Sequence, residues 1–389
     1  MCAESTGTPE VVTVRSEPGV AGSGRIAFWD NARFLAVTLV VAGHAIQPLV
    51  DRSGGALTLY LVIYAFHMPA FAIISGYFSS AEPPTARHML RVLTDLVIPY
   101  VIMEAAWSIV KLVADGESGF DPTTPSWTLW FLVSLAIFRL VLPYLALLRW
   151  PLAISLVLSV GVGYLNGVDS TFALARTFGF LPFFVLGWKL STTDIAQWWR
   201  GLGEAAWWIR GVAAAIFAGA AWVVSANLPT WRTVDLRHWL YYDQSYSDLG
   251  TDSVLGGAGR LALLAVAVIL CAAFLALVPR HPILVTELGT GTMYVYLLHS
   301  FALYPIRETG LLDAQRPTSA LLMLLCVASV AVALVLASPP CRRLFRPVIQ
   351  PDVRWLLTRA RPAKGRGADH DEPSLPSVSS RVDLATRGS

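Results

Sequence analysis

Apolar runs of membrane-spanning length recur along this chain from residue 32 to residue 338, with no polar domain between them. A helix needs about 20 apolar residues to cross a bilayer core. Ten segments approach or meet that length: 32–50, 56–78, 92–114, 127–148, 150–166, 172–190, 209–228, 260–279, 283–305 and 317–338. No Asp, Glu, Lys or Arg falls between Ala56 and Phe78 or between Leu261 and Pro279. Backbone groups in lipid must satisfy one another, which leaves helices as the structure for such runs. Composition agrees, with 55% hydrophobic and only 14% charged residues, against about 25% charged in a soluble domain. The expected fold is all-α: a polytopic transmembrane helical bundle of about ten spans.

Ten spans put both termini on one side. Arg342, Arg343, Arg346 and Arg354 follow the last span, and the loop at 79–91 carries Arg87 and Arg91 against Glu82. The positive-inside rule makes that side, and both termini, cytoplasmic, so the expected location is the cell membrane. The long loop 229–257, with Trp231, Trp239, Tyr241, Tyr242 and Tyr246, then lies outside. Residues 1–24 contain Glu4, Glu10 and Glu17 and no apolar core, so they read as a disordered cytoplasmic segment and not a signal peptide. Residues 25–340 form the transmembrane domain. Residues 341–389 read as a basic juxtamembrane segment and a disordered tail rich in Pro, Ser, Gly and charge. The net charge of +3 gathers at that end, which suits a membrane surface and not nucleic acid. Cys2, Cys271, Cys326 and Cys341 show no ligand spacing, so neither a disulfide framework nor a metal site is expected.

Ionisable groups inside membrane helices are costly and are functional candidates by default. Arg33 and His44 fall on the first segment, His67 on the second and Glu104 on the third. At about 1.5 Å of rise per residue, His44, His67 and Glu104 each come out roughly 16–18 Å from the cytoplasmic ends of their segments. Three consecutive helices thus bring ionisable side chains to one depth. Arg33 and His44 are eleven residues apart, close to three turns, and share a face. With Asp30 and Arg25 beside the same mouth, this face suits an anionic cytosolic ligand whose reactive end reaches His44. Bland alternatives stand beside these. Arg33 can snorkel to headgroups, a membrane histidine can bond a neighbouring helix, and Glu104 can serve to pair an arginine. Arg176, Trp130 and Tyr294 carry less signal.

Particular motifs add to this. Arg25-Ile-Ala-Phe-Trp-Asp30-Asn-Ala-Arg33, ending in Gly43-His44, resembles the first helix of acyltransferase family three, whose membrane acyltransferases modify sugars, lipids and antibiotics. Phe66-His67-Met68-Pro69-Ala70-Phe71, running into Ile74-Ser75-Gly76-Tyr77, resembles the second helix. Trp130-Phe131-Leu132, Leu181-Pro182-Phe183-Phe184 with Gly187, and Tyr294-Val295-Tyr296-Leu297-Leu298-His299 are similar to later family segments. The resemblance spans residues 25–340 and is nearest to sugar O-acetylases related to fucose 4-O-acetylase. It implies a catalytic His44 and acyl-CoA binding by Arg33. A second arginine, found three residues later in some members, is Ala36 here. It further implies acetyl-CoA or another acyl-CoA as donor substrate, with no permanently bound cofactor, and a carbohydrate or glycoconjugate acceptor. On this view Arg25 and Asp30 assist at the donor mouth, and His67 orients the acceptor or donates to the oxyanion. Glu104, Arg176, Tyr294 and His299 are buried polar candidates. The competing expectation is a transporter or flippase for a glycan or lipid, with the same groups lining a pathway; a third is an inactive scaffold.

The orientation is checked by a reporter fused after residue 240. The expected outcome is activity only from a reporter that works in the extracytoplasmic space; cytoplasmic activity reverses the topology.

Overall fold

The computed structural model describes residues 27–352 apart from 117–118, 169–170, 194–200, 202, 252, 311 and 313–314. Arg25 and the expected disordered ends, 1–24 and the tail beyond 352, lie outside the described residues. Among those described there is no strand. Seven helical stretches are long and apolar enough to cross a membrane: Ala27–Leu49, Gly54–Tyr77, Ala86–Ala114, Thr171–Leu190, Ala205–Ala226, Val254–Leu277 and Ser319–Ala337. The remaining three expected segments are also helical but shorter: Trp130–Ala146, Pro151–Tyr164 and Thr292–Glu308.

Helix α1 (Ala27–Ile46) runs through the middle of the bundle and is buried on nearly all sides. Its N-terminal end is fastened by Asn31, whose amide donates to the carbonyls of Pro279 (2.9 Å) and His281 (3.1 Å). The Asn31 carbonyl accepts from Thr286 Oγ1 at 2.7 Å. Three polar contacts thereby satisfy a fully buried amide.

The second apolar run is not one straight helix. It breaks into α2 (Gly54–Tyr64) and α3 (His67–Tyr77) at Ala65–Phe66, where Phe66 adopts φ −139°. Pro69 explains the break: it has no N–H for the carbonyl of Ala65, and its ring crowds that carbonyl. The Phe66 carbonyl accepts from the Ala70 N–H at 2.8 Å and also from Cys271 Sγ at 3.4 Å. His67 therefore opens α3, directly after the break.

The third run begins with α4 (Ala86–Val92), passes through a π-helical turn over Leu93–Val97 and continues as α5 (Ile98–Asp115). Pro99 just beyond the turn cannot donate into the ladder, a recognised cause of such local irregularity. Then follow α6 (Trp130–Ala146), α7 (Pro151–Gly161), α8 (Leu174–Leu190) and α9 (Ala205–Ala226). The long loop is less irregular than expected. It holds α10 (Leu228–Thr233) and α11 (Leu236–Tyr241), ahead of α12 (Val254–Leu277). The ninth segment starts as a tight turn over Glu287–Gly291 and becomes helix α13 only at Thr292–Glu308. Gly and Thr are weak helix formers, and Gly289 and Gly291 lie hard against the backbones of Asp30 and Ala337. The chain closes with α14 (Ser319–Ala337) and the basic α15 (Pro339–Ile349).

Helices α3 and α8 share the most extensive helix–helix contact in the bundle. Gly76 packs against the backbone of Phe184, and Gly187 against the backbone of Ile73. Small residues that let two backbones meet are how membrane helices associate when water supplies no driving force. By contrast α9 is almost wholly exposed, with Trp207, Trp208, Val212 and Trp222 outward, and forms a lipid-facing surface.

A methyl group on Gly76 would overlap the Phe184 carbonyl. Gly76→Ala is expected to cost about 1–3 kcal/mol, as overpacking does, read as a lowered thermal transition of the detergent-solubilised protein. An unchanged transition would show that α3 and α8 are less tightly apposed.

Candidate active site

The break after Tyr64 and the end of α1 face one another across a cavity of about 140 Å³. His44 is in the last turn of α1 and Gln47 one turn on; Tyr64 and His67 flank the break. All four line the cavity, along with Trp127, Trp130, Arg176, Tyr241 and Tyr296.

His44 is half-buried, with polar and aromatic groups around its ring. Tyr64 Oη lies 3.4 Å from Nδ1, and Gln47 is a hydrogen-bond partner. The ring centroids of Trp127 and His299 are each 5.4 Å away. His67, 2% exposed, donates its Nδ1–H to the Ile63 carbonyl at 2.8 Å. That bond leaves Nε2 with a lone pair. His299 is held the same way, Nδ1 to the Val295 carbonyl at 3.1 Å, with Nε2 buried and unpaired.

Arg176 supplies a cation at the opposite wall. Its Nη2 donates to Asp243 Oδ2 at 2.7 Å, and its guanidinium lies 5.2 Å from the Trp130 ring centre. Tyr241, from the loop helix α11, caps the same wall and shares a short hydrogen bond with Tyr60, on which Tyr64 stacks at 3.9 Å. A line of phenols thus runs from the loop to His44.

Trp127 comes from the turn before α6 and has φ 45°. A bulky residue rarely takes this left-handed conformation and does so only when its surroundings enforce it. Both neighbours are fixed. Ser126 donates its N–H to Glu104 Oε2 (2.8 Å) and its Oγ–H to Glu104 Oε1 (2.5 Å), while Lys111 Nζ donates to Ser126 Oγ (2.9 Å). The Thr128 carbonyl accepts from the Tyr296 hydroxyl. Pinned on either side, Trp127 is held against His44, with Trp107 5.7 Å and the Arg307 guanidinium 5.2 Å from it.

Of His44, His67 and Glu104, expected at one depth, the structure brings two to the cavity. Helices α1 and α4 both begin earlier than the apolar runs suggest, which moves His44 and Glu104 alike, to about 26–27 Å along their helical stretches. His67 shares the cavity with His44; Glu104 does not, and instead holds the Trp127 turn. Arg33 is likewise apart from the cavity. It pairs with Asp30 at 3.8 Å and covers the Phe78 ring at 4.3 Å, near the start of α1. Tyr294 bonds Gln350 of the segment after α15, at 3.3 Å, away from the cavity. Gln47 and Tyr64 had a legible signal, one turn from His44 and from Tyr60 respectively; Trp127 read as the start of the fourth segment and Tyr241 as a loop aromatic, and nothing in the sequence ties either of them, or Asp243, to His44.

A bundle of long apolar helices closing over a histidine-, phenol- and arginine-lined cavity defines a multi-pass membrane protein with an internal site. Residues 26–338 match the model of the acyltransferase 3 family, described as an acyltransferase domain, and the chain belongs to that family. A 55-residue stretch is 44% identical to the nodulation protein NolL of Mesorhizobium japonicum, a match that covers 13% of this chain and 15% of that relative. No solved structure matches the chain.

Glu104→Gln replaces one of two accepting oxygens by a donor opposite Ser126. Hydrogen bonds to charged groups contribute about 1.5–3 kcal/mol, so the variant is expected to lose stability of that order in thermal unfolding. Ser126→Ala in the Glu104→Gln background should then add little, since both act on one contact; fully additive losses would separate them.

Proposed function

We propose that this acyltransferase moves an acyl group, chiefly acetyl, from acyl-CoA to a hydroxyl of a carbohydrate or glycoconjugate, within the cytoplasmic membrane. The observation that carries this reading is the position of His44: a histidine held by Tyr64 and Gln47 on a cavity walled by aromatic faces and an arginine. Aromatic faces with a few hydrogen-bonding groups suit a sugar ring.

Acyl transfer needs a base for the hydroxyl proton and donors for the oxyanion. Tyr64 Oη accepting from Nδ1–H leaves Nε2 of His44 as the basic atom. The proton taken from the acceptor is passed to the departing CoA thiolate, so none is consumed. His67 has spent its Nδ1–H on Ile63, so in neutral form it accepts from the acceptor hydroxyl and orients it. That favours the first of its two expected roles over oxyanion donation. Gln47 and Arg176 are the donors available for developing charge. Arg33, positioned by Asp30, contacts the donor phosphates at the cytoplasmic mouth. Eleven residues separate it from His44, about 16 Å of helix rise, a span of the order of an extended pantetheine arm.

His44→Ala and His44→Gln test the reading in one assay, acyl transfer by folded protein with acetyl-CoA as donor. A positioned base contributes about 10²–10⁴-fold, so both variants are expected to lose at least 100-fold with near-normal thermal stability. Gln preserves bulk and hydrogen bonding but accepts no proton. A fully active Gln variant would sink the assignment of His44 as base.

A further inference from the structure

A second cavity, of about 60 Å³, lies on the other side of His44 and Trp127, which line both. Its remaining walls are aliphatic, chiefly Leu303 and Ile306 of α13, Leu312, and Leu325 and Val332 of α14. The polar groups at its edge are already engaged. Ser329 Oγ donates to the Leu325 carbonyl at 2.7 Å. Arg307 donates to Gln47 Oε1 at 3.4 Å and covers Trp127. His44 and Trp127 thus form a partition between an aromatic, hydrogen-bonding chamber and a dry one.

We propose that the dry chamber is the acyl pocket, which receives a short acyl group of the donor while the acceptor occupies the aromatic chamber, and that α14 sets the chain length. This rests on the acyl-transfer reading above. A sugar in the dry chamber would leave hydroxyls without partners, at a cost of several kcal/mol each at the apolar limit. A methyl or propyl tail loses nothing there. Size limits the occupant: 60 Å³ is about two water shares of liquid volume, room for a few carbons. With the acyl carbonyl at the partition, the acceptor oxygen reaches carbon from the opposite chamber. The new C–O bond forms as C–S breaks, and the hydroxyl proton passes through His44 to the thiolate. The partition supplies a geometric reason for one histidine to meet both substrates.

The test is equilibrium binding of acetyl-, butanoyl- and hexanoyl-CoA to the purified full-length protein, which requires no knowledge of the acceptor. Wild type is expected to bind acetyl-CoA at least tenfold tighter than hexanoyl-CoA, since a single misfitting methylene already discriminates by about 10–200-fold. Leu325→Ala enlarges the chamber and should narrow that ratio at least fivefold. Ala328 lines the chamber from a residue that is also exposed, so Ala328→Leu is tolerated by the fold and should weaken butanoyl-CoA against acetyl-CoA at least fivefold. Donor binding that persists with both ratios unchanged overturns the pocket and leaves the acyltransfer reading intact. Hexanoyl-CoA bound as tightly as acetyl-CoA by wild type also overturns it. No binding of any acyl-CoA by folded protein overturns the donor assignment, and the pocket falls with it.

Discussion

Helix α1 is surrounded by protein on nearly every side, and that enclosure is the constraint on which the rest of the molecule depends. α13, α14, α3 and α2 all pack on it. A helix so enclosed leaves most of its polar side chains little lipid or water to turn into. Each polar group it carries must be met by protein or must open onto a cavity. Asn31 is met by two carbonyls and a hydroxyl, and Asp30 by Arg33. His44 alone opens onto two cavities, so the same helix that anchors the bundle also presents its most reactive group.

Irregularity in the neighbouring helices then shapes the space around that group. Pro69 breaks the second run where a straight helix would have buried the ring of His67 in regular packing. Instead the break displays Tyr64 and His67 on one wall. On the far wall, Glu104 and Tyr296 act through backbone atoms of Ser126 and Thr128. They hold an aromatic ring in a conformation its own sequence disfavours. Both devices place rigid groups by spending hydrogen bonds on the chain and not on the ligand, which is the usual basis of preorganisation.

All ten apolar segments proved helical, because length and hydropathy answer to one strong rule, the satisfaction of backbone groups in lipid. His44 and His67 were legible for the same reason: an ionisable group in such a run needs an explanation. Helix ends were not, since Ala27–Asn31 and Ala86–Arg91 are too polar to register as span yet continue the helix in the folded chain. That error is about a turn and a half at both ends, so it moves His44 and Glu104 along their helices by nearly the same amount. The partners of His44 were hidden for another reason. Trp127 and Tyr241 lie 83 and 197 residues away along the chain, in loops, and no periodicity connects a loop to a helix it covers.

The scattered origin of these walls has a consequence for biosynthesis. The cavity draws on α1, α2, α3, the turn before α6 and the start of α6, α8, the loop helix α11 and α13, elements spread over most of the chain. Insertion into a bilayer proceeds from the N-terminus, so His44 and Gln47 enter the membrane long before His299, Arg307 and Leu325 exist. During that interval the polar face of α1 has only its immediate neighbours, α2 and α3, for company. Tyr64, whose hydroxyl lies beside the His44 ring, belongs to the very next helix and arrives first. The α1–α2 pair can therefore shelter the histidine as a hairpin while the ribosome is still making the far half, and the reactive centre is closed only when α13 and α14 dock.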